Sequence, residues 1–218
     1  MSLSPQILLS SLSRERCITK LKELPALITQ KSKQKMQASV LVPVCVDDGK
    51  VCLLYTLRSS NLKQHSGQVS FPGGKADEDE SCIETALRET EEEIGIPRDS
   101  IDVWAIMPQV QGRNKDMRIT PVVGVINNFD MKKLTPNLDE VDEIFTVSME
   151  DFCNKDNHGH VTFENHPIPV YNTDKHRVWG ITGMITHFFL QSFLPENVYQ
   201  LDYNRREYTF DELMPSKL

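Results

Sequence analysis

Residues 74–96 of the chain read GKADEDESCIETALRETEEEIGI and carry the strongest pattern in the sequence. Seven of these 23 residues are glutamate, and three of them stand in one run, Glu91-Glu92-Glu93. Like charges at helical spacing destabilise a helix by roughly 0.2–0.5 kcal/mol per pair. The segment is therefore either a solvated acidic face or a place where a cation binds.

The same segment predicts an amphipathic helix over residues 81–94. Ser81 and Glu84 have the S-x-x-E spacing of a capping box, and Gly95 followed by Pro97 is a stop signal. Apolar or small residues recur at helical spacing and predict the inward stripe, which consists of Ile83, Ala86, Leu87, Thr90 and Ile94.

Three glutamates share the face opposite this stripe. Glu89 and Glu93 are four residues apart and lie one above the other, and Glu92 flanks them. Neighbouring carboxylates resist joint ionisation, whereas a divalent cation with a preference for hard oxygen ligands removes the conflict. Arg88 stands beside them and can hold one carboxylate through two hydrogen bonds. The alternative is a solvated face with pairing between arginine and glutamate.

These residues resemble the signature of the Nudix hydrolases, G-x5-E-x7-R-E-U-x-E-E-x-G-U, where U is an aliphatic residue. Its positions are occupied by Gly74, Glu80, Arg88, Glu89, Thr90, Glu92, Glu93, Gly95 and Ile96. A chance match of seven fixed residues is on the order of one in a million. Thr90 alone departs from the pattern, and it falls on the predicted buried side of the helix.

The resemblance implies an α/β Nudix fold, with a mixed β-sheet between α-helices and the signature forming a loop, a helix and a loop. It implies divalent-metal-dependent hydrolysis of a diphosphate linked to another moiety, with Mg²⁺ or Mn²⁺ as cofactor. The implied metal ligands are Gly73, through its carbonyl, with Glu89, Glu92 and Glu93. Glu80, Arg88 and Gly95 are implied to be structural. A general base is also needed, and the candidates are Glu92 and Glu140. Glu140 lies in a loop late in the fold, where the alternative is an ordinary surface acid.

A second motif precedes the helix and bears on the substrate. It runs LYTLRS over residues 54–59, then Lys63, then Gly67, then FPGG over residues 71–74. This spacing resembles the upstream motif of the coenzyme A diphosphatase subfamily, which has mitochondrial and peroxisomal members. Residues 137–145 and 176–180 resemble the same subfamily. The resemblance implies hydrolysis of coenzyme A or acyl-coenzyme A to 3′,5′-ADP and 4′-phosphopantetheine or its acyl form.

The implied substrate-binding residues are Arg58, Lys63, Gly67, Phe71 and Gly74. Lys63 stands where the subfamily has arginine. The positive charge is kept, but the planar guanidinium that can donate two parallel hydrogen bonds is lost. Phe71 either packs beneath the loop or stacks on a base, and packing is the commoner role of phenylalanine.

The chain as a whole predicts an α/β layered domain with two extensions. We expect an N-terminal helix and linker at residues 1–37, the Nudix domain at 38–195 and an extension at 196–218 that ends in Ser216-Lys217-Leu218. The sequence also predicts individual helices, strands and turns. A helix is predicted within residues 14–29, ending at Pro25. Strands are predicted at 39–46, 51–57, 101–108, 119–126 and 143–148, and a further helix at 180–193. The segment DDGK at 47–50 predicts a hairpin turn, and Pro43 indicates an edge or a bulge. Residues 59–80 are predicted to be a long functional loop.

Composition limits the classes of partner. The chain has 218 residues and a net charge of −7, which argues against nucleic acid held on a broad basic surface but allows a local pocket for a small anion. The five cysteines are scattered without a C-x-x-C pair, which indicates reduced thiols and no cysteine zinc site. No apolar run reaches the roughly 18 residues of a membrane span.

The predictions of localisation disagree. The terminal Ser-Lys-Leu is a peroxisomal address read by an import receptor, which we take as the first prediction. The alternative is the mitochondrion, suggested by the resemblance and by a weak transit-like composition in the first 22 residues. That stretch is more typical of an ordinary first helix, which is the interpretation that we favour.

Two other functions stay open at this stage. One keeps the reaction and changes the substrate to ADP-ribose, a dinucleotide or a nucleotide sugar. The other is a ligand-binding Nudix module without activity. His158 and His160 are interpreted as loop residues rather than metal ligands, and His65 as a phosphate contact or an exposed residue.

Overall fold

The computed structural model describes residues 3–25, 36–62, 66–112 and 117–214. Its helices are α1 (Pro5–Leu8), α2 (Ser11–Glu23), α3 (Cys82–Ile94), α4 (Met149–Cys153), α5 (Gly180–Phe193) and α6 (Phe210–Leu213). Its strands are β1 (Met36–Asp47), β2 (Lys50–Arg58), β3 (Val69–Ser70), β4 (Gly73–Lys75), β5 (Ile101–Ile106), β6 (Val110–Gln111), β7 (Met117–Ile126), β8 (Val141–Ser148), β9 (His158–Phe163), β10 (His166–Asn172), β11 (Arg177–Val178) and β12 (Glu207–Tyr208).

The larger sheet is mixed and carries the order β3-β2-β1-β7-β5. Strand β1 runs parallel to β7 and antiparallel to β2 and β4, while β6 pairs with β7 and β8 pairs with β2. Alternating side chains of β2 point to opposite faces. One face packs against α3, and the other packs against α2 and α5. The predicted mixed sheet between helices is confirmed.

The turn between β1 and β2 is the hairpin that its sequence predicts. Asp47 pairs with Lys50, so only two residues form the loop. Asp48 has a φ of 46° and Gly49 a φ of 76°. Two successive positive φ angles match the twist of a type I′ turn, which is the reason that aspartate and glycine are favoured there.

The prediction of an edge position for Pro43 is wrong, because β1 lies inside the sheet. On its antiparallel side the ladder stops at Val40 with β4 and resumes at Val44 with β2. Pro43 falls in this interval, where a missing N–H breaks no ladder hydrogen bond. The predicted loop over residues 59–80 likewise contains two short strands, β3 and β4.

A second, smaller sheet was not predicted. It has the order β11-β10-β9-β12 and corrects the interpretation of His158 and His160 as loop residues, since both lie in β9. His158 is buried; its ring is within 2.8 Å of the Phe152 carbonyl and accepts a hydrogen bond from the Asp202 N–H. These contacts indicate that His158 has a structural role in the packed interior.

The N-terminal helix α2 belongs to the main core. Cys17 and Leu21 are buried in the cluster that α5 also enters. Arg14 forms two hydrogen bonds to the Asp102 carboxylate on β5, at 2.9 and 3.0 Å. The helix ends at Glu23, two residues before Pro25, as predicted. The boundaries at residues 37 and 195 stay predictions.

Within the described ranges, no helix has the length and apolar character needed to cross a membrane.

Candidate functional site

Helix α3 begins and ends as its sequence predicts. Ser81 Oγ accepts a hydrogen bond from the Glu84 N–H at 3.3 Å, and the Glu84 carboxylate accepts one from the Ser81 N–H at 2.9 Å, which completes the capping box. Gly95 ends the helix in the left-handed conformation, with a φ of 75°. A Cβ at this position would lie 2.0 Å from Thr135 Oγ1, so both the angle and the space require glycine.

Arg88 organises the carboxylates on the outer face of α3. Its guanidinium binds both oxygens of Glu80, at 2.8 and 2.9 Å. Its Nη1 donates to Glu89 and to Glu92, each at 3.0 Å, and its Nη2 also donates to the Lys75 carbonyl at 3.1 Å. The two-pronged hydrogen bond from Arg88 lowers the pKa of Glu80 to about 2. Arg88 therefore fixes the strand β4 and the helix relative to each other.

Glu93 is the buried acid of the site, with 3% of its surface exposed. Its carboxylate accepts a hydrogen bond from the Gly73 N–H at 3.1 Å. Burial raises its pKa to about 8, against the opposing effects of that hydrogen bond and of the charge on Arg58. The charges of Glu140 and Glu89 raise it further. A carboxylate in this position lacks the solvent that would favour its ionised form.

Glu89 lies against the glycine loop. A Cβ at Gly74 would lie 2.4 Å from the Glu89 carboxylate, so glycine lets this acid lie directly against the loop, and a larger residue would displace it. Burial raises the pKa of Glu89, the contact with Arg88 lowers it, and the charges of Glu92 and Glu140 raise it. Glu89, Glu93 and Glu140 therefore act on one another electrostatically at the same place.

A loop distant in sequence brings Glu140 to this place. The Asn137 N–H donates to the Glu93 carbonyl at 2.9 Å, and the Thr135 N–H donates to the carbonyl of the last residue of α3 at 3.1 Å. On its other side, the Glu140 carbonyl accepts from the Ser59 N–H at 2.8 Å. The loop is thus attached both to the end of α3 and to the end of β2.

The comparisons with known proteins agree with this geometry. A family model described as the NUDIX domain matches residues 35–166, more than half of the chain. The chain belongs to the Nudix family.

Curated relatives extend the similarity along most of the chain. The chain is 40% identical over 195 residues to the mouse protein named mitochondrial coenzyme A diphosphatase NUDT8, covering 86% of this chain and 90% of that one. It is 41% identical over 165 residues to the human protein of the same name, covering 72% and 70%. It is 32% identical over 214 residues to Nudix hydrolase 3 of Caenorhabditis elegans, covering 87% and 88%.

The Nudix signature residues occupy unequal environments. Glu89 and Glu93 face the glycine loop, whereas the side chain of Glu92 is 55% exposed and reaches Arg88. Among the residues that the structure describes, no three His, Cys, Asp or Glu side chains already form a group that could hold a metal ion.

The donor set nevertheless fits the divalent cation that Nudix hydrolases generally use. Carboxylate and carbonyl oxygens are the ligands that Mg²⁺ and Mn²⁺ prefer. Glu93 is buried, and among the residues that the structure describes no cation contacts its carboxylate; burial raises its pKa to about 8 because the negative charge is poorly compensated there. Arg88 compensates the Glu89 carboxylate only in part, at 3.0 Å, and burial still raises the pKa of Glu89. A bound cation would supply that compensation. The missing side chain of Gly74 keeps the space beside Glu89 open.

The predicted substrate residues are placed as follows. Arg58 ends β2 and lies near enough to Glu93 to lower its pKa. Gly67 lies in the turn before β3, with a φ of 65°, and its N–H donates to the Arg58 carbonyl at 3.0 Å. Lys63 lies outside the described residues, as do His65 and the terminal Ser216-Lys217-Leu218.

Phe71 requires a correction of the predicted substrate contact. Its ring is 3% exposed and stacks on Tyr55, with the ring centroids 4.8 Å apart. Packing beneath the glycine loop is the role that this position supports. Thr90 is also buried, and its hydroxyl donates a hydrogen bond to the Ala86 carbonyl at 2.6 Å. The polar group of this residue, which departs from the Nudix signature, is therefore satisfied within the helix.

Proposed function

We propose that this protein hydrolyses the diphosphate bond of coenzyme A or acyl-coenzyme A. The products are 3′,5′-ADP and 4′-phosphopantetheine or its acyl form, and the reaction uses Mg²⁺ or Mn²⁺. The observation that carries the proposal is the 40% identity to the mouse mitochondrial coenzyme A diphosphatase over 86% of this chain. The upstream motif supports it, because Arg58 ends β2 beside the acidic site.

The cation would be held by Glu89 and Glu93, with the Gly73 carbonyl and Glu92 completing the oxygen ligands. When bound, it screens the diphosphate, polarises a phosphorus–oxygen bond and lowers the pKa of water. Glu92 is at present held by Arg88 at 3.0 Å, so taking part in binding requires a change of partner. Its largely exposed side chain can make that change with little repacking.

Arg58 would contact the diphosphate. Its charge lowers the pKa of Glu93, which supports a position within electrostatic reach of the carboxylates. A planar fork of donors suits two phosphate oxygens. This contact would orient the scissile diphosphate relative to the acidic face of α3. Lys63 stays a sequence-based candidate for a second positive charge.

Glu140 is the general base that the geometry favours over Glu92. Its charge raises the pKa of both Glu89 and Glu93, so it lies within electrostatic reach of both proposed ligands. Its loop is attached to the helix and to β2 by backbone hydrogen bonds. Among the residues that the structure describes, no hydrogen bond engages the Glu140 carboxylate. A base must be free to accept a proton, whereas Glu92 is bonded to Arg88.

The test is a substrate panel with the purified protein. Coenzyme A, acetyl-coenzyme A, ADP-ribose and a nucleotide sugar are incubated with Mg²⁺ or with Mn²⁺, and the products are identified by mass. Glu93→Gln serves as the inactive control. We expect 3′,5′-ADP and phosphopantetheine to form far faster than the products of the other substrates.

Each other outcome has a defined meaning. Faster hydrolysis of ADP-ribose or a nucleotide sugar would keep the Nudix chemistry and overturn the coenzyme A assignment. Absence of hydrolysis with either metal would favour a ligand-binding module. Full activity in Glu93→Gln would overturn the metal-ligand assignment.

For localisation, the mouse and human relatives are named as mitochondrial, which supports the mitochondrion for this chain. The peroxisomal address stays a sequence prediction with an import receptor as the partner. Imaging the untagged protein with antibody, with and without residues 216–218, separates the two. Loss of a peroxisomal signal on truncation would establish the address, and an unchanged mitochondrial signal would reject it.

A further inference from the structure

A cavity of about 390 Å³ lies away from the carboxylates, on the far side of β2. Its walls are the end of β2 at Leu57, the turn at Gly67, the hairpin between β10 and β11, and α6. Sites for small molecules generally occupy roughly 300–1,000 Å³, so the cavity is large enough for part of a ligand.

The cavity and the acidic site both lie near the C-terminal end of β2. Leu57 lines the cavity and packs into the core beneath α5. Arg58, the next residue, acts on Glu93 beside α3. Successive side chains of a strand point to opposite faces, with Cα atoms about 3.8 Å apart. The cavity and the acidic site therefore lie on opposite faces of the sheet at the same end of β2.

The cations of the cavity wall are already paired. Lys175 lies 2.7 Å from the Glu143 carboxylate, and Arg177 donates to the Glu212 carbonyl at 2.7 Å and lies over the Tyr208 ring. A phosphate bound to Lys175 would have to displace Glu143. The wall thus favours a ligand without charge.

The remaining wall is suited to amides. Within the part of the chain that the structure describes, no hydrogen bond engages the side-chain amide of Asn172, which is partly exposed at the end of β10. That amide offers a donor and an acceptor together, which matches a peptide-like bond. Trp179 and Leu57 add apolar surface beside it.

We propose that this cavity binds the pantetheine arm of the substrate, a neutral chain with two amide bonds that is joined directly to the diphosphate. The inference rests on the proposed function. It assigns the two faces of β2 to different parts of one ligand, with the phosphates beside α3 and the arm beneath Asn172. The nucleotide end then lies outside the cavity.

The test measures binding without turnover. Pantetheine, which lacks phosphate, is titrated into metal-free protein and followed by ligand-observed NMR, and 3′,5′-ADP is titrated in parallel. The variants are Asn172→Leu, which removes the amide, and Asn172→Asp, which keeps the size and removes the donors. Asn127→Leu makes the same change at an exposed asparagine outside the cavity. Thermal unfolding verifies that each variant folds.

We expect pantetheine to bind the wild type and Asn127→Leu alike, and to bind both Asn172 variants about five- to tenfold more weakly. The KM for coenzyme A should rise by a similar factor at unchanged kcat. Equal pantetheine affinity in all four proteins would overturn the proposal. Weakened binding of 3′,5′-ADP instead would assign the cavity to the nucleotide end.

The two proposals fail in different ways. If pantetheine binding depends on Asn172 but coenzyme A is not hydrolysed, the cavity assignment stands and the proposed function fails. If coenzyme A is hydrolysed with an unchanged KM by the Asn172 variants, the function stands and the cavity assignment fails.

Discussion

Glu93→Gln should stabilise the metal-free protein while it removes activity. Most changes at a metal ligand are expected to harm both properties. Here the ligand is a buried acid whose ionised form is unfavourable in the folded chain, because solvent is excluded and Glu140 and Glu89 add negative charge. Glutamine has nearly the same shape, carries no charge and can still accept the hydrogen bond of the Gly73 N–H.

The magnitude follows from the pKa of Glu93, which rises from its ordinary 4.5 to about 8 on folding. Both states are protonated below pH 4.5, so the residue has no effect there. As the pH rises, the unfolded state ionises first, and folded stability is lost until the pH passes about 8. At about 1.36 kcal/mol per pKa difference of one, the loss is roughly 3 kcal/mol at pH 7 and roughly 1 kcal/mol at pH 5.

The assay is thermal unfolding in EDTA at pH 5 and pH 7. For a chain of this size, roughly 3 kcal/mol corresponds to a Tm about 6–12 °C higher for Glu93→Gln at pH 7, with a much smaller difference at pH 5. Glu92→Gln is the matched control, since its side chain is 55% exposed, and its Tm should stay close to that of the wild type. With Mg²⁺ or Mn²⁺ and coenzyme A, kcat/KM of Glu93→Gln should fall roughly 100-fold or more.

Two results would refute this reasoning. A Tm of Glu93→Gln at or below that of the wild type at pH 7 would show that ionised Glu93 is not unfavourable in the metal-free fold. An equal Tm gain at pH 5 and pH 7 would show that the effect is one of packing and not of charge.

Three further changes test the frame around Glu93. Arg88→Lys should lower stability by roughly 1–3 kcal/mol, because lysine cannot bind both oxygens of Glu80; an unchanged urea midpoint would contradict this. Gly95→Ala should lower the free energy of unfolding by roughly 1–3 kcal/mol, because the position has a positive φ and the new Cβ would contact Thr135. Adding Thr135→Ala should restore part of that loss. Calorimetry that shows no recovery in the double variant would exclude a contribution from the clash with Thr135. Glu140→Gln should lower kcat roughly 10²- to 10⁴-fold and flatten the acidic limb of the pH–rate profile, while KM stays unchanged. An unchanged kcat would instead favour Glu92 as the general base.

The sequence was sufficient for α3 because local signals set both its ends. The capping box at Ser81 and the left-handed Gly95 act within one turn of the helix, and the same holds for the Asp48-Gly49 turn. The smaller sheet escaped prediction because Pro167 and Pro169 interrupt the strand pattern of β10. Its edge partner β12 begins at Glu207, far along the chain.

For the site, helical spacing predicted which glutamates share a face but not how deeply each lies. Glu93 is buried because β4 and the loop at Asn137 cover it, and neither contact is local in sequence. Glu92, one residue earlier, stays largely exposed. The placement of Glu140 near Glu89 likewise depends on a loop attached at both ends, which spacing alone does not reveal.

The acidic segment at residues 80–93 therefore combines groups with opposite effects on stability. Arg88 and Glu80 form a compensated pair that attaches the glycine strand to the helix, so removing it should weaken the fold. Glu93 is an uncompensated acid, so neutralising it should strengthen the metal-free fold. Both changes should reduce hydrolysis, one by misplacing the loop and the other by removing a ligand. A solvated acidic face would give small stability changes of one kind at every glutamate. The opposite signs at Arg88 and Glu93, measured on the same protein in EDTA, thus distinguish a buried uncompensated acid from a solvated acidic face without any substrate.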